Sequence, residues 1–320
     1  MKRSQLLRFY EQGYRDFTGV DLRGVDLSGV MLIAVDLTGA NLAGANLRRA
    51  FLTKSNLSQA SLNWANLSFA KMSEVNFQQA DLTKANLNGA FMVKSQLIEA
   101  KLSGANLSHT NLRASNLTAA NACGAKLQKV NLRQANLERA NFNWANLQEG
   151  RLSGAQLRDI SFTGANLSQT FLIDVNLSGA NLTGINFSQA KLTGTDLSGA
   201  VLSNANLTEA RLKRVNFSHA DLSNANLTQA QLNEGNLDRA NLSRAKLTAA
   251  DLSKASLRNV NLSDADLTQA VLNEANLEAA VLHNTVLEAV TQNSIEFVSQ
   301  TNNVERSSSV RQQIQFAWGS

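Results

Sequence analysis

A five-residue period runs through this sequence and leaves few folds open to it. It extends from Arg15 to Ala289 without insertion, as 55 consecutive pentapeptides. The third residue of each unit falls at 17, 22, 27 and every fifth position to 287, and it is Leu, Phe or Met in 54 of the 55 units. Ala122 is the exception. The first residue of the unit is small or β-branched, as at Val20, Ala40, Ser95, Thr110, Gly150 and Ile185, and Arg15 is the one departure. The second residue is most often Asn or Asp, and the fourth is often Ser or Thr.

Neither regular element has this period. On a helix, residues five apart smear around the axis, because 5 is not near a multiple of 3.6. On a flat strand they alternate between faces, because 5 is odd. The period fits a chain that turns a corner at every unit and points its first and third side chains inward. Four corners, and so four pentapeptides, close one coil. Coils stacked at strand spacing, about 4.8 Å, number 55/4, or about 13.75, and predict a rod roughly 65 Å long. Like residues then stack in ladders, as in other solenoids.

Units such as Ala40-Asn41-Leu42-Ala43-Gly44, Ala45-Asn46-Leu47-Arg48-Arg49 and Ala225-Asn226-Leu227-Thr228-Gln229 resemble the A-(N/D)-L-x-x unit of the pentapeptide-repeat family. The resemblance covers the whole of 15–289. It implies an all-β solenoid, a right-handed quadrilateral β-helix of about 13–14 coils; the handedness comes from the resemblance alone. The segment from Leu6 to Phe17 also resembles the leader of many cyanobacterial members. The chain contains no proline, although about 16 would be expected at the usual frequency of ~5 %. Coil-to-coil hydrogen bonding explains this, because a proline in a coil removes a ladder donor.

The sequence divides at 1–14, 15–289 and 290–320. A stack of coils exposes an apolar core and unpaired backbone at each end, and such ends need covering. Ser4 reads as a helix N-cap and Gly13 as a C′ residue. A capping helix over 5–12 is therefore predicted, with Leu6, Leu7 and Tyr10 on one face. At the other end the period lapses at Thr291–Ser294 and returns once, with Ile295 and Phe297 in phase. Gln300–Arg311 is rich in Ser, Asn and Gln, and Ile314, Phe316 and Trp318 alternate with Gln315 and Ala317. Two readings stand for 290–320: a loose or disordered tail, or a short strand over 312–318 that caps the last coil or pairs two chains into a homodimer.

Composition removes several functions. A single cysteine, Cys123, excludes a disulfide scaffold and a multi-cysteine zinc site. No apolar run is long enough to span a membrane, and the first residues, to Gln12, lack a signal-peptide core, so a cytoplasmic protein without membrane contact is expected. His109, His219 and His283 fall in distant coils, and no Walker loop, dinucleotide fingerprint or Gly-x-Ser-x-Gly occurs. No catalysis, cofactor or metal is expected. Cys123 should point outward, and Ala122 should leave a gap beside Phe142 in its ladder.

One face departs from the others. Built on third residues 32, 52, 72 and so on to 272, it carries eleven basic residues, among them Arg113, Arg133, Arg151, Lys191, Arg211, Lys213 and Arg214, against five acids. It also turns Met31, Ile33, Phe51, Phe91, Val93, Phe171 and Ile173 outward, where other units carry Asn, Ser or Thr. An apolar strip bordered by charge marks a contact surface. These residues are therefore the predicted binding face for an acidic protein partner, with the phenylalanines as anchors and the cations steering. The competing reading is that they only stack along the ladder and stabilise the sheet. Trp64 and Trp144 share another column.

The chain thus reads as a non-catalytic interaction scaffold or regulator. Some family members mimic duplex DNA and bind topoisomerase, but mimicry needs a negative surface and the net charge here is +5. Direct nucleic-acid binding through the basic face is a second alternative, weakened by the acids that interrupt it and by the lack of a base-reading motif.

Overall fold

Each pentapeptide repeats one backbone hydrogen-bonding scheme, and the unit Ala40–Gly44 shows it in full. The Ala40 N–H donates to Leu37 C=O (3.0 Å) and closes a turn. Asn41 N–H donates to Val20 C=O one coil earlier (2.9 Å). Leu42 N–H and Gly44 N–H donate to Ser61 C=O (2.7 Å) and Asn63 C=O (2.9 Å) one coil later. The remaining donor, Ala43 N–H, is taken by the side chain of Asn41, at 3.2 Å from its Oδ1. The same bond recurs across the repeat, for example from Ser108 N–H to Asn106 and from Thr228 N–H to Asn226. The preference for Asn or Asp at the second place is therefore a capping requirement, the Asx-turn that supplies a local acceptor to an otherwise unpaired N–H.

The computed structural model describes residues 1–291. The chain forms two compact units, Met1–Phe171 and Leu172–Ser320. In the first unit, parallel bridges join each second residue to its counterpart four pentapeptides on, from Asp16–Asp36 to Arg151–Phe171. In the second unit they run from Asn176–Asp196 to Val271–Thr291. Each coil thus holds four pentapeptides and four turns, the period that the sequence predicts. The expectations for residues 292–320, the capping strand at 312–318 and the homodimer through it, lie outside the described residues.

The first and third side chains of each unit fill the coil interior. Third residues from Leu22 to Leu277 are at most 5 % exposed. At the hydroxylic first residues from Ser55 to Thr195 the hydroxyl is buried and satisfied. Ser55 donates to Leu32 C=O (2.9 Å), Ser95 to Met72 C=O (2.7 Å) and Thr195 to Leu172 C=O (2.6 Å). Burial of these hydroxyls therefore carries no unpaired-group penalty, which is about 1–3 kcal/mol. Ala122 is as buried as its ladder neighbours, and the Phe142 ring lies 5.8 Å from the Phe162 ring in that ladder.

The fifth residue is held in the left-handed region in all 55 units. Glycine fills it in 14 of them and a residue with a side chain in the other 41, with φ from about +52 to +72. Positive φ confined to the third residue of an i→i+3 turn is the type II pattern. The sequence records this constraint by exclusion, since Val, Ile, Thr and Pro never occupy a fifth place. Branching at Cβ clashes with the backbone at positive φ, and proline cannot reach it.

The cap, α1, spans Arg3–Glu11. It begins earlier than the sequence suggests: Lys2 is the N-cap and Ser4 lies within the first turn. The reason is Gln5, whose Oε1 accepts the Lys2 N–H (3.0 Å) and ties down the helix start without a serine cap. The C-terminal reading holds. Gly13 has φ +94, its N–H donates to Tyr10 C=O, and Tyr14 N–H donates to Phe9 C=O. That pair of bonds is a Schellman motif, completed by an edge-on Phe9–Tyr14 contact at 5.6 Å. Leu6 is fully buried against the first coil, and Tyr10 Oη accepts the Ile33 N–H (3.2 Å). By contrast Leu282 and Leu287, in the last described coil, are only half-buried.

Two outcomes follow for stability. An added Cβ at Gly39 (φ +63) meets nothing within 4 Å, so substitution there tests the backbone alone. Gly39→Ala should cost about 1 kcal/mol and Gly39→Val about 1–2 kcal/mol more, read by chemical denaturation. If Phe142 leans into the space beside Ala122, Phe142→Leu should lose about 1 kcal/mol more than Phe217→Leu, since Phe217 stands between Leu197 and Leu237. Equal losses would show that Phe142 does not fill that space.

Candidate functional site

The outward positions of a coil are its second, fourth and fifth residues. On the predicted face they form three columns that the bridges place in register. In the first unit the second-residue column reads Met31, Phe51, Lys71, Phe91, Asn111, Asn131, Arg151 and Phe171, each paired with the next. The fourth-residue column carries Ile33, Val93, Arg113 and Arg133, and the fifth carries Lys54, Glu74 and Lys94. Apolar side chains and cations therefore interleave along the face, with Lys54 and Lys71 between Met31 and Phe91, and Arg113, Arg133 and Arg151 between Phe91 and Phe171.

Exposure sorts the predicted anchors. Met31 (56 %), Phe91 (47 %) and Ile33 (37 %) are open to solvent. Phe51, Val93, Phe171 and Ile173 are not: all four are half-buried, which corrects the expectation that they stand free. For two of them the cover is a cation on the adjacent coil. Lys71 Nζ sits 4.9 Å from the Phe51 ring centre, and the Arg151 guanidinium 6.0 Å from that of Phe171. A ladder neighbour about 4.8 Å away with a long flexible stem can fold over a ring, an attraction worth roughly 0.5–1 kcal/mol at an exposed site.

Charge is distributed unequally. The first unit's part of this face has six basic residues and one acid, Glu74. Among the described residues, none of Lys94, Arg113, Arg133 and Arg151 makes an ion pair, and all four are exposed. In the second unit the corresponding columns hold Lys191, Arg211, Lys213, Arg214 and Lys254 against four acids. There Lys213 pairs with Glu234 (2.8 Å) and Lys254 with Glu274 (3.7 Å). Ile173, Lys191, Arg211, Lys213 and Arg214 thus belong to a nearly balanced surface, whereas the first unit's columns carry unneutralised positive charge.

The sequence reading did not single out Phe69. It occupies a fifth place, is 48 % exposed, and lays its ring over Gly89, where an added Cβ would come within 2.6 Å of Phe69 Cε1. Gly89 lies two residues before Phe91, so Phe69 borders the face beside Phe91. An aromatic fifth residue followed one coil later by glycine is the signal, and Trp144 over Gly164 repeats it. Trp64 (62 % exposed) instead carries Lys84 Nζ at 4.5 Å. Cys123 is half-buried at an outward position.

Four carboxylates are held by hydrogen bonds within the repeat. Asp21 accepts from the Arg23 guanidinium and backbone, which lowers its pKa to about 2. A side-chain hydrogen bond from Ser28 holds Asp26 low, and one from Thr268 does so for Asp266. At Asp238 partial burial pushes the pKa upward, but hydrogen bonds from Ser256 and Arg258 together outweigh it and leave it lowered. Among the described residues no group of three His, Cys, Asp or Glu side chains could hold a metal ion, and no helix is long and apolar enough to cross a membrane.

The family model for pentapeptide repeats (8 copies) matches nine segments that together run from residue 16 to 290, apart from residue 114. The chain belongs to the pentapeptide-repeat family. No curated protein matches it. Among solved structures it is similar to HetL of Nostoc sp. strain PCC 7120, a pentapeptide repeat protein involved in heterocyst differentiation regulation, at 27 % identity over 91 % of this chain and 97 % of that one, with a TM-score of 0.24. A pentapeptide repeat protein from the Arabidopsis thaliana thylakoid lumen is 30 % identical over 32 % of this chain and 70 % of its own, with a TM-score of 0.31. Rfr23 of the cyanobacterium Cyanothece 51142 is 24 % identical over 52 % and 96 %, with a TM-score of 0.15.

The lowered carboxylates fix the response to acid. Groups with depressed folded pKa values stabilise fully above the unfolded value near 4 and lose that contribution as pH falls through the folded value. With Asp21 near 2, the melting temperature should fall between pH 4 and 2 and change little from pH 5 to 8, as followed by circular dichroism.

Proposed function

We propose that this protein is a non-catalytic interaction module that binds an acidic protein partner on the mixed apolar and basic face of its first unit. The observation that carries this reading is the combination on one face of exposed Met31, Ile33 and Phe91 with six basic residues and a single acid. Elsewhere in the repeat the second and fourth places most often hold Asn, Asp, Ser or Thr, and the second residue caps a backbone group. Here the second places at Met31, Phe51, Lys71, Phe91 and Arg151 hold side chains that cannot accept the cap bond, and Ile33 and Val93 take the usual place of Ser or Thr. Contiguous exposed apolar area rimmed by charge is the mark of a contact surface, and the unpaired cations raise the encounter rate with an acidic partner. Phe51, Val93 and Phe171 support the surface from half-buried positions. Ile173, Lys191, Arg211, Lys213 and Arg214 form a separate, nearly neutral surface of the second unit with a lesser role. A cytoplasmic location and the right-handed winding implied by the family belong to the same reading.

Substitutions at outward places test it. Met31→Asn, Phe51→Asn and Phe91→Asn together should leave the circular dichroism spectrum unchanged, because Asn is the commonest second residue of the repeat. The triple variant used as affinity bait in an extract of the source cells should lose an acidic protein that the wild type retains, identified by mass spectrometry. Recovery of the same proteins by both baits would remove the reading.

A further inference from the structure

Stacked coils place residue n beside residue n+20, and charge obeys a rule in that relation. Both members of such a pair are charged at 16 places in the described repeats, and 13 of these combine opposite signs. Lys129 with Glu149, Arg158 with Glu138, Arg258 with Asp238 and Lys254 with Glu274 close as ion pairs at 2.9–3.7 Å. The physical basis is plain: side chains directly opposite on paired strands attract or repel most strongly. Only three pairs break the rule: Asp16 with Asp36, Arg113 with Arg133, and Lys191 with Arg211.

Of these, Arg113 and Arg133 lie on the first unit's part of the mixed face. Both are exposed fourth residues on adjacent coils of the first unit. The coils hold their backbones at strand spacing, about 4.8 Å. Lys94 precedes them by one coil and Arg151 follows by one, so four cations occupy four successive coils on one face. No carboxylate of the described residues pairs with any of them. Both arginines also follow an Asn that caps their own backbone N–H, Asn111 (3.2 Å) and Asn131 (3.3 Å), and Asn131 Nδ2 donates to Asn111 Oδ1 (3.2 Å). The backbone beneath the pair is therefore fixed, and the two arginines remain side by side.

We infer that Arg113 and Arg133, flanked by Lys94 and Arg151, are a binding site for consecutive carboxylates in an acidic segment of a protein partner. This deepens the proposed function and rests on its assignment of the face. A guanidinium fork takes a carboxylate through two parallel N–H···O bonds, and two forks on adjacent coils can take two carboxylates or share one. Binding replaces a like-charge contact by an attractive one, so the free protein gives up some stability that the bound acid restores. Met31 and Phe91, exposed on the same face, then receive the uncharged part of the segment.

The test sets stability against binding in the full-length protein. Arg133→Glu places a carboxylate beside Arg113 and restores alternation. It should raise the melting temperature by about 1–3 °C and weaken binding of a fluorescein-labelled deca-glutamate peptide at least tenfold in anisotropy titrations at low salt. Lys129→Glu makes the same change in net charge but sets two acids together with Glu149. It should lower the melting temperature and alter peptide affinity by less than twofold. Equal weakening by both variants would reduce the effect to net charge and overturn the inference. So would a melting temperature for Arg133→Glu at or below the wild type, or a twenty-nucleotide oligo(dT) that binds more tightly than the peptide with the same dependence on Arg133. Loss of deca-glutamate binding in Arg133→Glu, together with unchanged capture by the Asn triple variant, would keep this site while removing the apolar anchors. The converse result would keep the anchors and remove this site.

Discussion

The bond from the fourth N–H of a unit to an Asn or Asp two residues earlier, made in most units, completes the backbone of this fold. Turn and coil-to-coil bonds consume the other four donors of a pentapeptide, as Ala40–Gly44 shows. A buried or crowded N–H without a partner costs about as much as a lost hydrogen bond, and the repeat would carry that cost dozens of times. The side chain that removes it also sits in the bridge position, where it meets its neighbours on adjacent coils. Asn46, Asn66, Asn86 and Asn106 accordingly join side chain to side chain along one column, beginning at Asp26. Local capping and long-range stacking are therefore the same interaction seen in two directions.

That economy determines where function can be placed. The first and third residues are committed to the core, the fifth to a positive φ, and the second usually to capping. A unit whose second residue is Met, Phe, Lys or Arg forgoes the cap. The first unit does so at Met31, Phe51, Lys71, Phe91 and Arg151 on a single face. The cost of each lost cap is small, of the order of one hydrogen bond, but its repetition on one face separates that surface from the rest. The charge columns show the same concentration: opposite signs stack nearly everywhere, and the departure at Arg113 and Arg133 falls on that face.

Much of this is legible in the sequence. Period 5 with a large third residue and a small first residue predicts coils of four pentapeptides, and the bridges from Asp16–Asp36 onward have that spacing. The face around Met31, Phe91 and Arg113 could be found by sorting residues by their place in the coil, because a repeat without insertions makes sequence number a coordinate. Other features were not legible. The half-burial of Phe51 depends on which way Lys71 folds, and a ladder gives that stem two neighbours to choose between. The exposed Phe69 was hidden because its place, the fifth, admits many residue types, and only the glycine one coil later shows where the ring rests. The early start of α1 was missed because Gln5 takes the role expected of Ser4.

The sequence by itself determined the coil length, the inward and outward places, the absence of proline and the unequal charge of one face, since all of these follow from a period that backbone pairing must respect. The tertiary structure decided what side chains do across coils. It chose which rings a cation covers, it let acids neutralise the basic residues of the second unit at Lys213 and Lys254, and it left Arg113 beside Arg133 with no carboxylate between them. The physical reason is range. Backbone hydrogen bonds repeat identically from unit to unit, so one pentapeptide predicts the next, whereas the contacts of long charged side chains depend on neighbours a full coil away and on rotamers that no local pattern fixes.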